Sequence, residues 1–125
     1  MQVSKVLVKK EVENQILTIL SQVVSDIRNP EEANKFLHDF FTDVEIITIA
    51  KRLAIAYFLS RGESYETIKQ KLKVSSATIA SIQTKLSNNN GIKIALKKIQ
   101  ADQWASKWTN FIMSIFGSGE KQLIS

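Results

Sequence analysis

The chain contains no cysteine, one proline, four glycines and a single histidine among its 125 residues. Without cysteine there can be no disulfide, thiol catalysis or thiolate metal site, which fits a reducing compartment. No apolar run approaches the roughly 20 residues that a membrane-spanning helix needs. The N-terminus lacks an apolar run followed by a small-residue cleavage site, so we expect no signal peptide. These absences predict a cytoplasmic protein.

Catalytic groups are scarce as well. His38 lies in an aromatic stretch of a predicted helix, where we expect a core or boundary role. Glu31 and Glu32 stand at a helix start, where carboxylates complement the helix dipole. No phosphate-binding loop or metal-ligand spacing is present. We therefore expect no enzyme, no cofactor and no metal site.

What the sequence does contain is helical periodicity, without the alternation typical of strands. It predicts an all-α fold of six or seven helices, at about residues 5–27, 30–41, 43–61, 65–72, 76–86, 92–100 and 102–116. Asn29-Pro30 and the Thr42–Glu45 capping box start two of these helices, and Gly62 ends the third. The third helix is apolar nearly all round, so it should be the central one. Asn88–Gly91 predicts a turn.

The positive charge is concentrated in one part of the chain. The net charge is +5, and residues 62–100 alone have seven lysines against two glutamates. The other segments nearly balance. Such a local excess favours a polyanionic partner, although a solvated lysine-rich helix face is the alternative.

Residues 65–86 have the apolar spacing of a helix-turn-helix. Counted from Tyr65, five residues take the fourth, eighth, tenth, fifteenth and eighteenth places, where the contact between the two helices should lie: Ile68, Leu72, Val74, Ile79 and Ile82. Two positions depart from the usual pattern. Lys69 replaces a small residue and Lys73 replaces a turn glycine, which both fit if their stems lie along the surface. The alternative is two amphipathic helices packed for stability only.

The second helix of this unit, residues 76–86, is the predicted recognition helix. Its outward side chains are small, and most have hydroxyls, so they can approach base edges in a major groove about 12 Å wide. The predicted base contacts are Ser76, Ala77, Ala80 and Thr84, and the predicted phosphate contacts are Lys69, Lys73, Thr78 and Lys85.

The stretch from Ile49 to Ile82, IAKRLAIAYFLSRGESYETI followed by LKVSSATIASI, resembles the Trp repressor superfamily. The likeness covers about residues 10–99 and is closest to the shorter-looped, uncharacterised branch of Trp-repressor-like proteins. It rests on Lys51-Arg52-Leu53, Arg61-Gly62-Glu63 and Ala77-Thr78-Ile79. The resemblance implies an intertwined homodimer whose N-terminal helices wrap around the partner chain, which would explain why the first two helices are so apolar.

The resemblance also implies a test for the effector. Tryptophan-binding members hold the corepressor between two arginines, with a glycine beside the second. Arg52 matches the first arginine, but Ser81 and Ile82 stand at the other two positions. The missing charge-assisted contact is worth roughly 1.5–3 kcal/mol, and Ile82 would fill the space of the indole ring. We therefore predict that tryptophan is not the effector; Arg52 has either an effector role or a structural ion pair.

The resemblance does not cover the aromatic stripe of residues 102–116, formed by Trp104, Trp108, Phe111, Ile112, Ile115 and Phe116. We expect it to pack on the dimer or to make a further oligomer contact. The alternative is a helix that docks on a partner or lies in a membrane surface, and its low net charge argues against the membrane.

The domain prediction is a helical DNA-binding domain at residues 1–100, followed by an amphipathic helix and tail at 101–125. The predicted function is sequence-specific binding of double-stranded DNA by a repressor-like homodimer. The alternative is a helical adaptor module that keeps the helix-turn-helix without binding DNA.

Overall fold

The computed structural model describes residues 8–101 together with Asn110 and Ser114. Within this part of the chain there are six helices and no strand. The helices are α1 (Lys10–Asp26), α2 (Pro30–Phe40), α3 (Asp43–Ser60), α4 (Tyr65–Leu72), α5 (Ser76–Asn88) and α6 (Asn90–Ala101). The all-α prediction is confirmed. The predicted aromatic stripe of residues 102–116 lies outside the described residues, apart from Asn110 and Ser114.

The chain divides into two compact units between Asp43 and Val44. The first unit contains α1 and α2, and neither helix has a buried residue. The Asn29 side chain accepts a hydrogen bond from the Glu32 N–H (2.9 Å), and Pro30 is the first helical residue, as the sequence predicts. The Phe36 ring lies 5.0 Å from that of Phe40. His38 is exposed, so the expected core or boundary role is wrong for this residue in the single chain.

The core lies in the second unit, where α3 to α6 meet. Four consecutive residues of α3, from Ile55 to Phe58, are buried, which confirms that this half of the helix is central. The core is completed by Ile68 of α4, Ile79 and Ile82 of α5, and Leu96 and Ile99 of α6. α5 packs against both α4 and α6.

The end of α3 shows why Gly62 is there. The Gly62 N–H donates to the Leu59 carbonyl (3.0 Å) and the Glu63 N–H to the Phe58 carbonyl (3.0 Å), which is the Schellman pattern. Gly62 has φ +83°, a left-handed conformation that glycine adopts without a Cβ penalty. The predicted glycine cap is confirmed.

Three predicted boundaries are wrong. α1 begins at Lys10, because Val8 and Lys9 are not helical, and Lys9 has ψ 146°. α5 continues to Asn88, and only Asn89 separates it from α6. Asn90 and Gly91 are therefore helical rather than part of a turn. The burial of Leu96 and Ile99 fixes α6 against the core, and such packing outweighs the weak helix propensity of its first residues.

None of the helices in the described part of the chain has both the length and the apolar character needed to cross a membrane.

Candidate nucleic-acid interface

Residues 64–88 form two helices, each started by the same side-chain motif. Ser64 Oγ accepts from the Thr67 N–H (3.2 Å) and donates to Thr67 Oγ1 (2.9 Å) at the start of α4. At the start of α5, Ser75 Oγ accepts from the Thr78 N–H (3.1 Å) and lies 3.0 Å from Thr78 Oγ1. Each cap satisfies a backbone N–H that the helix itself leaves without a partner. The first turn of each helix is thus fixed locally.

Lys73 forms the corner between the two helices. Its backbone is left-handed, with φ 55° and ψ 56°, and its N–H donates to the Lys69 carbonyl (2.9 Å). This is the conformation that explains why a glycine is common at this place. A left-handed conformation costs a lysine roughly 1–2 kcal/mol, and Lys73 lies three residues before the first residue of α5. The departure from the usual pattern at Lys73 therefore places a positively charged residue at a strained corner.

The apolar spacing correctly predicts the contact between the two helices. Ile68 and Ile79 are fully buried, and Ile82 is 5% exposed. Leu72 and Val74 are partly buried and pack against the same core. Each of the five predicted positions therefore contributes to the packing of α4, the turn and α5. This packing holds α5 against the core while its opposite face is left in solvent.

The four predicted base-contact residues are Ser76, Ala77, Ala80 and Thr84, and all four are exposed on one face of α5. Thr84 Oγ1 donates to the Ala80 carbonyl (3.1 Å), so its proton is used within the helix. Its oxygen lone pairs remain available as acceptors. Thr84 is thus suited to accept from a base amino group, whereas Ser76 can donate or accept.

The predicted phosphate contacts differ in accessibility. Lys69, Lys73 and Lys85 are exposed, whereas Thr78 is half-buried and its hydroxyl pairs with Ser75. Between Glu66 and Asp102 the chain contains seven lysines and no acidic residue. α5 and α6 lie wholly within this stretch. These two helices therefore have no carboxylate that would repel a polyanion.

A cavity of about 300 Å³ lies between α3 and the start of α5. It brings predicted phosphate contacts together with the predicted effector residue, because Lys73, Thr78 and Arg52 all line it. The other lining residues are Thr48, Lys51, Ile55, Val74 and Ser75. No acidic side chain of the described residues is among them. The cavity thus combines three cations with three hydroxyl groups.

Sequence reasoning missed the contribution of Lys51 and Thr48 to this cavity. Residues 48, 51, 52 and 55 have the i, i+3, i+4, i+7 spacing of a single helix face. Three of these four side chains are polar or basic in a helix that is otherwise largely apolar. That stripe is the sequence signal that could have identified the cavity.

Ser81 and Ile82 stand where the resemblance places the second arginine and the glycine of a tryptophan pocket. Ser81 is exposed, whereas Ile82 is buried in the core beside α6 residues. Neither residue lines the cavity that Arg52 shares with α5. The described residues therefore provide one arginine at this cavity rather than a pair.

The family model described as Trp repressor protein matches residues 15–100. The chain is also 31% identical over 98 residues to the "Uncharacterized protein YerC" of Bacillus subtilis (strain 168). That match covers 78% of this chain and 89% of the relative. No solved structure matches the chain.

Proposed function

Because this chain belongs to the Trp repressor family, we propose that it binds double-stranded DNA sequence-specifically, as a homodimeric transcriptional regulator of the repressor type. The family consists of DNA-binding regulators rather than enzymes. The adaptor alternative predicts the same fold with no affinity for duplex DNA, so a binding experiment separates the two.

The observation that carries the proposal is the exposed face of α5. Small side chains occupy it at residues 76, 77, 80 and 84, while Ile79 and Ile82 anchor the opposite face in the core. A helix that is rigidly packed on one side and free of bulky or acidic groups on the other can enter a major groove. The lysines around it supply the phosphate contacts that hold such a helix in register.

In the proposed complex, two recognition helices enter successive major grooves about 34 Å apart. Ser76, Ala77, Ala80 and Thr84 contact base edges. Lys69, Lys73, Thr78 and Lys85 contact the backbone. Three lysines per chain give six in a dimer, so the logarithm of the binding constant should fall with the logarithm of salt concentration with a slope of about −5. Contacts made by such small side chains favour modest specificity, aided by water and DNA shape.

The homodimer is supported by apolar surface that a single chain leaves exposed. α1 has 17 residues and buries none of them. Seven of its apolar side chains are between 42% and 62% exposed: Val12, Ile16, Leu17, Ile19, Leu20, Val23 and Val24. Most of the stability of a helix in a protein comes from packing of its apolar face, and contiguous exposed apolar patches mark interaction sites. A second copy of the chain, with its own α1, is the proposed partner.

We also propose that the regulator does not respond to tryptophan, because Ile82 fills core space and Ser81 supplies no cation. The cytoplasmic location and the domain boundary at residue 100 remain predictions from the sequence. The C-terminal segment is tested by comparing the oligomeric state and liposome co-sedimentation of the full chain with those of a chain ending at Gln100.

The proposal is tested by selecting duplexes from a random pool in a gel-shift assay at stated salt. Ser76→Glu is the discriminating variant, because Ser76 is the exposed first residue of α5. The helix dipole favours a glutamate at this position, but its negative charge would repel the DNA phosphates. Binding should be abolished while circular dichroism and melting stay unchanged.

Asn34→Glu is the matched control, because it adds the same charge on an exposed position of α2. It should bind as the parent does. Equal affinity of Ser76→Glu and the parent chain would refute the assignment of the recognition helix. Failure of the parent chain to enrich any duplex would favour the adaptor alternative.

A further inference from the structure

The cavity between α3 and α5 is lined by three cations and, among the described residues, by no acidic side chain. Lys51 and Arg52 come from α3 and Lys73 from the corner before α5. These residues are about twenty apart in sequence, so the convergence is a product of tertiary packing. Lys51 is half-buried, and partly buried charges in proteins are normally paired with a counter-charge.

The hydroxyl groups of the cavity can be accounted for one by one. Thr48 Oγ1 donates to the Val44 carbonyl (2.7 Å), so its proton is used. Ser75 Oγ and Thr78 Oγ1 share one hydrogen bond in which either can be the donor (3.0 Å). Two hydroxyls that share one bond use one proton, which leaves the other proton free to donate. The cavity therefore provides three cationic donors and one neutral donor.

We propose that this cavity is a phosphate-binding site. Arg52 has a planar fork suited to two phosphate oxygens, whereas Lys51 and Lys73 act as point charges. The Ser75–Thr78 pair donates the remaining hydroxyl proton. A free phosphate or phosphate monoester carries close to two negative charges at neutral pH, so it balances three cations better than a carboxylate does. A phosphodiester carries one charge but still offers two oxygens to the arginine fork. A volume of about 300 Å³ is at the small end of ligand pockets and has room for the atoms attached to the phosphate.

The phosphate can come from either of two sources, a phosphodiester of the DNA backbone or the phosphate group of a small molecule. Only the first source rests on the proposed function. Because Lys73 and Thr78 are also predicted DNA contacts, a small phosphorylated molecule in the cavity would compete for the same groups. Occupation by a free ligand would then weaken DNA binding.

The two sources are tested separately on the full chain. Without DNA, inorganic phosphate is titrated by calorimetry and thermal melting, with chloride at equal ionic strength as the reference. With DNA, the salt dependence of binding to a selected duplex is measured, and single methylphosphonate linkages neutralise one phosphate at a time.

The variants are Lys51→Gln and Arg52→Gln. Because Lys51 is half-buried, its substitution could destabilise the fold, and Arg52→Gln then still tests the site. Lys71→Gln is the matched control, because Lys71 is exposed on α4 and does not line the cavity. If the source is a free phosphate, saturable phosphate binding should fall at least about tenfold in both variants and persist in the control.

If the source is DNA, each variant should flatten the salt dependence by at most about one unit per half-site, because two of the three cations remain. One methylphosphonate position per half-site should then weaken binding of the parent chain more than binding of the variant. Unchanged behaviour of both variants in both arms overturns the proposal, and so does an equal effect in Lys71→Gln. If the parent chain binds phosphate but no duplex, the proposed function fails and the site stands.

Discussion

The cap of α5 offers the sharpest link between local structure and DNA binding. Ser75→Ala removes the hydroxyl that accepts from the Thr78 N–H at 3.1 Å and pairs with Thr78 Oγ1 at 3.0 Å. Loss of a serine cap costs about 1 kcal/mol of stability. The free energy needed to unfold the first turn of α5, which contains Ser76 and Ala77, would fall by a similar amount. Since 1 kcal/mol is a factor of about five in an equilibrium constant, affinity for DNA should fall by at most about fivefold, in proportion to the lost fraction of intact first turn.

The chain supplies its own control, because Ser64 makes the same cap one helix earlier. Ser64→Ala removes the acceptor of the Thr67 N–H bond at 3.2 Å and should also cost about 1 kcal/mol. It leaves the exposed face of α5 intact, so DNA affinity should change by less than about twofold. The two variants are therefore matched in stability and differ in binding.

Ser75→Asp separates stability from charge at the same position. Aspartate caps helices as well as serine does, and it is favoured by the helix dipole. The free energy of unfolding should be maintained, while DNA affinity should fall at least about tenfold through repulsion of phosphate. Stability is measured by urea unfolding and affinity by fluorescence anisotropy of a labelled duplex. The reasoning is refuted if Ser75→Ala and Ser64→Ala lose the same affinity, or if Ser75→Asp binds as the parent does.

Further predictions concern the corner, the core and the effector. Lys73→Gly should change the free energy of unfolding by less than about 1 kcal/mol, because relief of the left-handed strain offsets the larger entropy of glycine in the unfolded chain. The same variant should flatten the salt dependence of DNA binding by about one unit per half-site. An unchanged slope would exclude a phosphate contact by Lys73. Gly62→Ala should lose about 1 kcal/mol in urea unfolding although nothing lies within 4 Å of the added Cβ, because φ is +83°. Ile79→Val should lose roughly 0.5–1.5 kcal/mol, because Ile79 is fully buried, and a loss near zero would place Ile79 outside the core. Calorimetry with tryptophan should detect no binding, and a micromolar dissociation constant would contradict the effector prediction.

Local sequence signals were sufficient for most of the fold. The caps at Asn29, Ser64 and Ser75 depend on hydrogen bonds that reach three residues along the chain, so they can be predicted without tertiary information. The core positions at Ile68 and Ile79 follow from spacing for the same reason. The turn predicted at Asn88–Gly91 is confined to Asn89, because the packing of α6 outweighs the turn propensity of the residues around it.

The candidate site was only partly predictable. The exposed face of α5 follows from helical geometry once its buried residues are assigned, and the sequence therefore identified Ser76, Ala77, Ala80 and Thr84 as a surface. What those residues bind is a question of chemistry that the DNA experiments answer.

The sequence by itself determined the helices, their caps, the buried spacing of residues 65–86 and the concentration of lysine between residues 67 and 101. These features depend on residues within about one or two helical turns of each other. Only the tertiary structure decided that Lys51 and Arg52 share a cavity with Lys73 and Ser75. The physical reason is that helix contacts between residues far apart in sequence depend on how α3 and α5 pack, and no local pattern specifies that packing.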